Sequence, residues 1–97
     1  MRTIKFRGVD VEYDERCIKS YRWQKAMNSG DAERSTRAVS RLFAGKDEYY
    51  AYLLSADVPL SYEEWLKLGD DELDASMDTM GELLKEVLDD MGQQAKN

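Results

Sequence analysis

The sequence predicts a mainly α (α+β) fold: a short N-terminal β-hairpin followed by four to five helices in one small domain. Three observations carry that prediction. Period-two alternation of apolar residues is confined to the N-terminal segment ending at Tyr13. Capping and breaking residues then recur at short intervals, at Asp14, Asn28-Ser29-Gly30, Asp31, Gly45, Asp47, Pro59 and Ser61. Near the end, Leu, Met and Val step by fours and threes. A chain of 97 residues suits one domain with a modest core. The domain is expected over residues 1–92, with the hairpin at 3–13 and a frayed tail at 93–97.

In the hairpin, Phe6 faces Val9 and Ile4 faces Val11 on one side, with Tyr13 beyond. Lys5 then falls opposite Asp10, and Thr3 opposite Glu12. One register satisfies both faces, which is what specifies a strand pair. The Arg7-Gly8 turn is less regular. A tight primed turn prefers Asn or Asp before the Gly, and Arg disfavours positive φ, so a G1 bulge is the alternative.

Asp14 is placed to cap a first helix over roughly 15–27, which carries Cys17, Ile18, Tyr21, Trp23, Ala26 and Met27. Asp31 can cap a second, with Ala32, Val39, Leu42 and Phe43 on its apolar face and Gly45 at C′. Asp47 caps a short third helix bearing Tyr49, Tyr50, Leu53 and Leu54. Val58-Pro59 ends it, because a residue before Pro avoids the helical region. Ser61 and Glu64 form a capping box, with Leu60 and Trp65 as its hydrophobic staple. A bend is expected at Gly69. The final helix is then expected from about Glu72 to Met91, stopped by Gly92. The core expected from these faces comprises Ile4, Phe6, Val11, Ile18, Tyr21, Val39, Leu42, Phe43, Leu53, Trp65, Leu66 and Leu73.

The final helix carries a heptad seam of Leu73, Met77, Met80, Leu84, Val87 and Met91, widened by Leu83 and Leu88. Twenty residues span about 30 Å, against about 20 Å for the second helix. On that comparison the first half of the seam closes the core. Its end, from Leu84 through Val87 and Leu88 to Met91, is offered to a protein partner or to a second copy. Met80 on the same edge, and Tyr49, Tyr52 and Tyr62 around Pro59, are further candidates for partner contact, since aromatic clusters serve as binding hot spots. At helical spacing, however, such tyrosines are more often core.

Charge is split along the chain. Residues 1–46 hold eleven Lys and Arg against six Asp and Glu; residues 47–97 hold three against fourteen. The halves either attract each other within the fold or steer a charged partner. With a net charge of −6, the chain as a whole is a poor nucleic-acid binder. Arg34, Arg37 and Arg41 form a stripe on the second helix, expected to pair with the acidic half or to be solvated. The absence of any His removes Ser-His and Cys-His nucleophile pairs and the usual zinc sites. Cys17, the single Cys, reads as a packing residue, and it excludes an internal disulfide. Asp70, Asp71, Glu72, Asp74 and Asp78 lack the ligand pattern of a calcium loop. No catalytic residue, metal site or cofactor is expected. No apolar run approaches the roughly 20 residues of a membrane-spanning helix. The alternating N-terminus does not resemble a signal peptide, so a cytoplasmic protein is expected.

The order IKFRGVDVEYDERCIKSYRWQKAM, then RLFAGKDEYYAYLL, then VPLSYEEW and an acidic amphipathic helix resembles the tail assembly chaperones of long-tailed, siphovirus-like phages and prophages. The resemblance is one of layout and runs over most of the chain. It implies a non-catalytic virion-assembly factor that binds the tape measure protein, helps to recruit tail-tube subunits, and is absent from the finished particle. The alternative class is a small acidic phage-encoded inhibitor that mimics nucleic acid toward a basic protein.

Overall fold

Residues 2–13 form the expected antiparallel pair, β1 (Arg2–Phe6) and β2 (Val9–Tyr13), with Phe6 opposite Val9 and Ile4 opposite Val11. The computed structural model describes residues 1–56, 59–68 and 76–95. No bulge intervenes at the turn. Arg7 and Gly8 both take positive φ, 51° and 82°, as a two-residue type I′ turn requires. Arg7 accepts the disfavoured region while its guanidinium lies 4.9 Å from the centre of the Phe6 ring and pairs with Glu82.

The expected first helix divides. Asp14 caps only a 3-10 turn, Glu15–Cys17. Ser20 then caps a new helix, α1 (Tyr21–Met27), its hydroxyl accepting from the Trp23 amide at 3.2 Å. The restart resets the helical phase: Trp23 turns inward, and Tyr21, the first helical residue, is 82% exposed rather than part of the core.

Helix α2 (Ala32–Leu42) begins at Asp31 as expected. Its end is shifted by one residue. Ala44 occupies C′ with φ of 53°, and Gly45 follows at 83°. Their amides donate to the Arg41 and Ser40 carbonyls, which makes a Schellman motif with Ala, not Gly, in the left-handed C′ position. Helix α3 (Asp47–Ala56) follows. Asp47 is its first residue rather than its cap, since the Tyr50 amide bonds to the Lys46 carbonyl. Val58 lies outside the described residues.

Ser61 caps α4 (Tyr62–Leu66) by accepting from the Glu64 amide at 3.1 Å. Trp65 takes the inward position of this short helix. Leu66, one step round, is 59% exposed and does not join the core. The expected bend at Gly69 and Leu73 of the seam lie outside the described residues. Helix α5 (Met77–Ala95) starts after non-helical Ser76, later than the Glu72 expected, and runs through Gly92 into the segment expected to fray.

One compact core joins these elements. Val11, Leu42, Phe43 and Trp65 are buried as expected. Ile4, Phe6, Ile18 and Val39 are half-buried against the core, and Leu53 is half-buried. Tyr13, Cys17, Trp23, Ala38, Tyr50, Leu83, Val87 and Met91 join Val11, Leu42 and Phe43 in one cluster, beside which Trp65 is buried. Helix α5 packs on α3 and β1. The inner face of the hairpin is therefore what covers its C-terminal half.

Candidate functional site

The seam of α5 is used in the opposite sense to the one expected. Leu83 and Val87 are 0% exposed and Met91 is 8% exposed, so Val87 and Met91 belong to the core and not to a partner surface. The last turns of α5 do not overhang the body, because the hairpin extends beneath them: Tyr13 and Arg2 both reach Asp90. Met77, at the other end, is 85% exposed. Met80 and Leu84 are half-buried, with one side against the core, and Leu88 is 40% exposed away from it.

Met77, Met80, Gly81 and Leu84 form one wall of a groove of about 690 Å³. Their spacing of i, i+3, i+4 and i+7 puts all four on one helical face. Ala32, Ser35, Thr36 and Val39 form the opposite wall from α2, with the same spacing. Ala51 of α3, 1% exposed, lies between the two walls, and Trp65 and Met27 also contribute. Ala32, Ala51 and Gly81 carry little or no side chain, so an occupant can approach the backbone closely there. Most of the lining is apolar. The exceptions are Ser35 and Thr36 in the α2 wall and the two carboxylates, Asp47 and Glu48, at the start of α3. Neither carboxylate has an ion-pair partner among the described residues.

Trp65 has a second property. Its Nε1 is the only buried side-chain nitrogen or oxygen without a hydrogen bond among the described residues. Buried donors are rarely left in that state. The ring itself is well held. Tyr62 stacks on it at 5.9 Å between centroids and 14° between planes, and Tyr49 meets it edge-on. The Tyr49 hydroxyl donates to the Leu60 carbonyl at 2.5 Å, and Lys46 Nζ lies 4.9 Å from the Tyr62 ring centre. Tyr49 and Tyr62 therefore work mainly as packing for the α3–α4 junction. Tyr52 is half-exposed on α3.

The charge halves meet through the hairpin. Arg2 Nε lies 2.7 Å from Asp90 Oδ2, and Arg7 pairs with Glu82. The Arg stripe of α2 makes no such contact: Arg37 pairs with Glu33 of its own helix, while Arg34 and Arg41 have no ion pair among the described residues. Burial raises the Cys17 thiol above its ordinary value, the direction expected of a packing residue rather than a nucleophile. Asp70, Asp71, Glu72 and Asp74 lie outside the described residues. No described helix is long and apolar enough to cross a membrane.

The sequence pattern did not point to the groove, because its lining comes from all five helices. The available signal was local: Met77, Met80 and Gly81 close to one helix edge. No protein-family model matches this chain, and neither curated proteins nor solved structures yield a match.

Proposed function

We propose that this chain is a non-catalytic helix-binding protein and, on the resemblance set out above, a phage tail assembly chaperone whose client is the tape measure protein. The observation that carries this reading is the apolar groove between α2 and α5. An amphipathic helix is the occupant whose shape suits it, since the α5 wall presents Met77, Met80 and Leu84 at helical spacing and the α2 wall faces it with Ala32 and Val39 flanking two hydroxyl side chains, Ser35 and Thr36. Asp47 and Glu48 at the edge favour a helix with Lys or Arg beside its apolar stripe. Such an occupant could also offer an acceptor to Trp65 Nε1. Met77, Met80 and Met27 suit an adaptable surface that accepts related stripes. Recruitment of tail-tube subunits, action in the host cytoplasm and absence from the virion belong to the same reading through the resemblance. A nucleic-acid mimic would spread carboxylates over a face with few apolar residues, which this groove does not do.

The test is co-purification of the chain with a tape measure protein, compared between wild type and the double substitution Met77→Glu with Met80→Glu. Met77 is 85% exposed, so Met77→Glu alone should leave circular dichroism and melting close to wild type while capture is weakened; the double variant, whose Met80 is half-buried against the core, should keep its helical signal with a lower melting temperature and lose capture. Retained capture by the variant would move the client to another surface. Wild type that captures a basic protein and no tape measure protein would favour the mimic.

A further inference from the structure

We propose that the arginine stripe of α2 receives the acidic stripe of α5 from a second copy of this chain, head to tail and antiparallel. Arg34, Arg37 and Arg41, joined by Arg22 of α1, line a groove of about 360 Å³ beside Trp23. Four arginines thus border one groove. Only Arg37 has an ion-pair partner among the described residues, and that pair with Glu33 is exposed. On α5, Glu82, Glu86 and Asp89 are all exposed and lie within a narrow arc opposite buried Met91. Glu86 and Asp89 have no ion-pair partner among the described residues; Glu82 has Arg7.

Spacing supplies the match. The arginines stand at i, i+3 and i+7. Read backwards from Asp89, the carboxylates stand at the same three intervals. Each stripe spans about two helical turns, or 10.5 Å. An antiparallel approach sets Arg34 against Asp89, Arg37 against Glu86 and Arg41 against Glu82. Within one chain no ion pair joins the two stripes among the described residues. Guanidinium forks suit bidentate carboxylate contacts. A nucleic acid offers the same arginines phosphate, but the net charge of −6 repels an extended polyanion from the rest of the surface. The contact is heterologous: each copy keeps one free stripe of each sign, so association is open-ended unless a ring closes. It differs from pairing through the α5 heptad, whose Val87 and Met91 are buried.

Charge reversal tests the proposal. Arg34→Glu with Arg41→Glu leaves two acidic stripes on one chain; Glu86→Lys with Asp89→Lys leaves two basic ones. All four positions are exposed, and circular dichroism checks that each variant folds. In sedimentation equilibrium at low salt, wild type should show concentration-dependent mass. That association should weaken at least about tenfold when salt cuts the screening length from about 30 Å to 8 Å. Each variant alone should be monomeric, and an equimolar mixture of the two should associate again, since both the native and the exchanged pairings are then complementary. Wild type that stays monomeric at low salt overturns the proposal. So does a mixture that fails to associate. Binding of a single-stranded oligonucleotide by monomeric wild type, lost in the arginine variant, would assign the groove to nucleic acid instead.

Discussion

The Tyr13 hydroxyl donates a 2.5 Å hydrogen bond to Asp90 Oδ2, across 77 residues of chain. The same carboxylate oxygen receives Arg2 Nε at 2.7 Å. Tyr13 is 0% exposed on the inner face of the hairpin, so its one polar side-chain atom is satisfied only because α5 lies across that face. Hydrogen bonds to charged acceptors contribute about 1.5–3 kcal/mol, and Tyr13→Phe should lose an amount in that range. Urea unfolding followed by Trp fluorescence measures it. Stability equal to wild type would mean that the bond contributes nothing beyond the Arg2 contact.

The same carboxylate predicts acid sensitivity. The Arg2 guanidinium and the Tyr13 hydroxyl hold Asp90 below its ordinary value, and Arg16 pushes Asp14 down to about 2. Both groups are depressed on folding, so their contribution is complete above the unfolded value of about 4. It is lost as pH falls from there toward 2. Melting temperature should be flat between pH 7 and 5 and fall below about 4. Asp90→Asn should lower the plateau and flatten part of that fall. Burial raises Tyr13 and Tyr50, so the opposite limb is a loss of stability above about pH 10.

Ala44 is a place where the chain can be improved. At φ of 53° it holds the left-handed C′ position of α2, which glycine occupies without a Cβ penalty. Ala44→Gly should stabilise by up to about 1 kcal/mol. Gly45→Ala, at φ of 83°, should cost a similar amount. Differential scanning calorimetry on both variants should show shifts of opposite sign, each of several degrees for a domain of this size.

Two neighbouring turns of α5 should respond differently to substitution. Leu83 is completely buried, and Leu83→Ala should cost about 2–5 kcal/mol. Leu88 is 40% exposed, and Leu88→Gln should stay within about 0.5 kcal/mol of wild type. Met91→Gln places a polar amide among buried apolar side chains and should behave like Leu83→Ala. Unfolding midpoints of the three variants check the order. Parity between Met91→Gln and Leu88→Gln would return the end of the helix to the surface.

Local chemistry was legible wherever the cause is local. The hairpin register follows from two faces that agree at once. Asp31 and Ser61 cap helices because a side-chain oxygen a few residues from orphan amides satisfies them in any context. Where two local signals compete, the outcome is not local. Asp14 and Ser20 are both good caps, and the second decided which of Tyr21 and Trp23 turns inward. Gly45 stands one place beyond the position its residue type suggests, because Phe43 is drawn into the core and ends the helix a residue earlier.

A mainly helical domain with an N-terminal hairpin, an arginine stripe and an acidic amphipathic helix near its end can be read from residue order alone. Those properties depend on periods of two and 3.6 and on caps within a few residues. The tertiary structure alone decided which half of that helix is covered. Periodicity marks an apolar face but not the element that will meet it, and α3 and the hairpin together cover Leu83, Val87 and Met91 while Met77 stays exposed. It also decided that Asp90 would serve Tyr13 and Arg2, and that side chains from all five helices would line one groove. Those relations join residues tens of positions apart. They are set by which surfaces bury the most apolar area together, a quantity that no window of sequence contains.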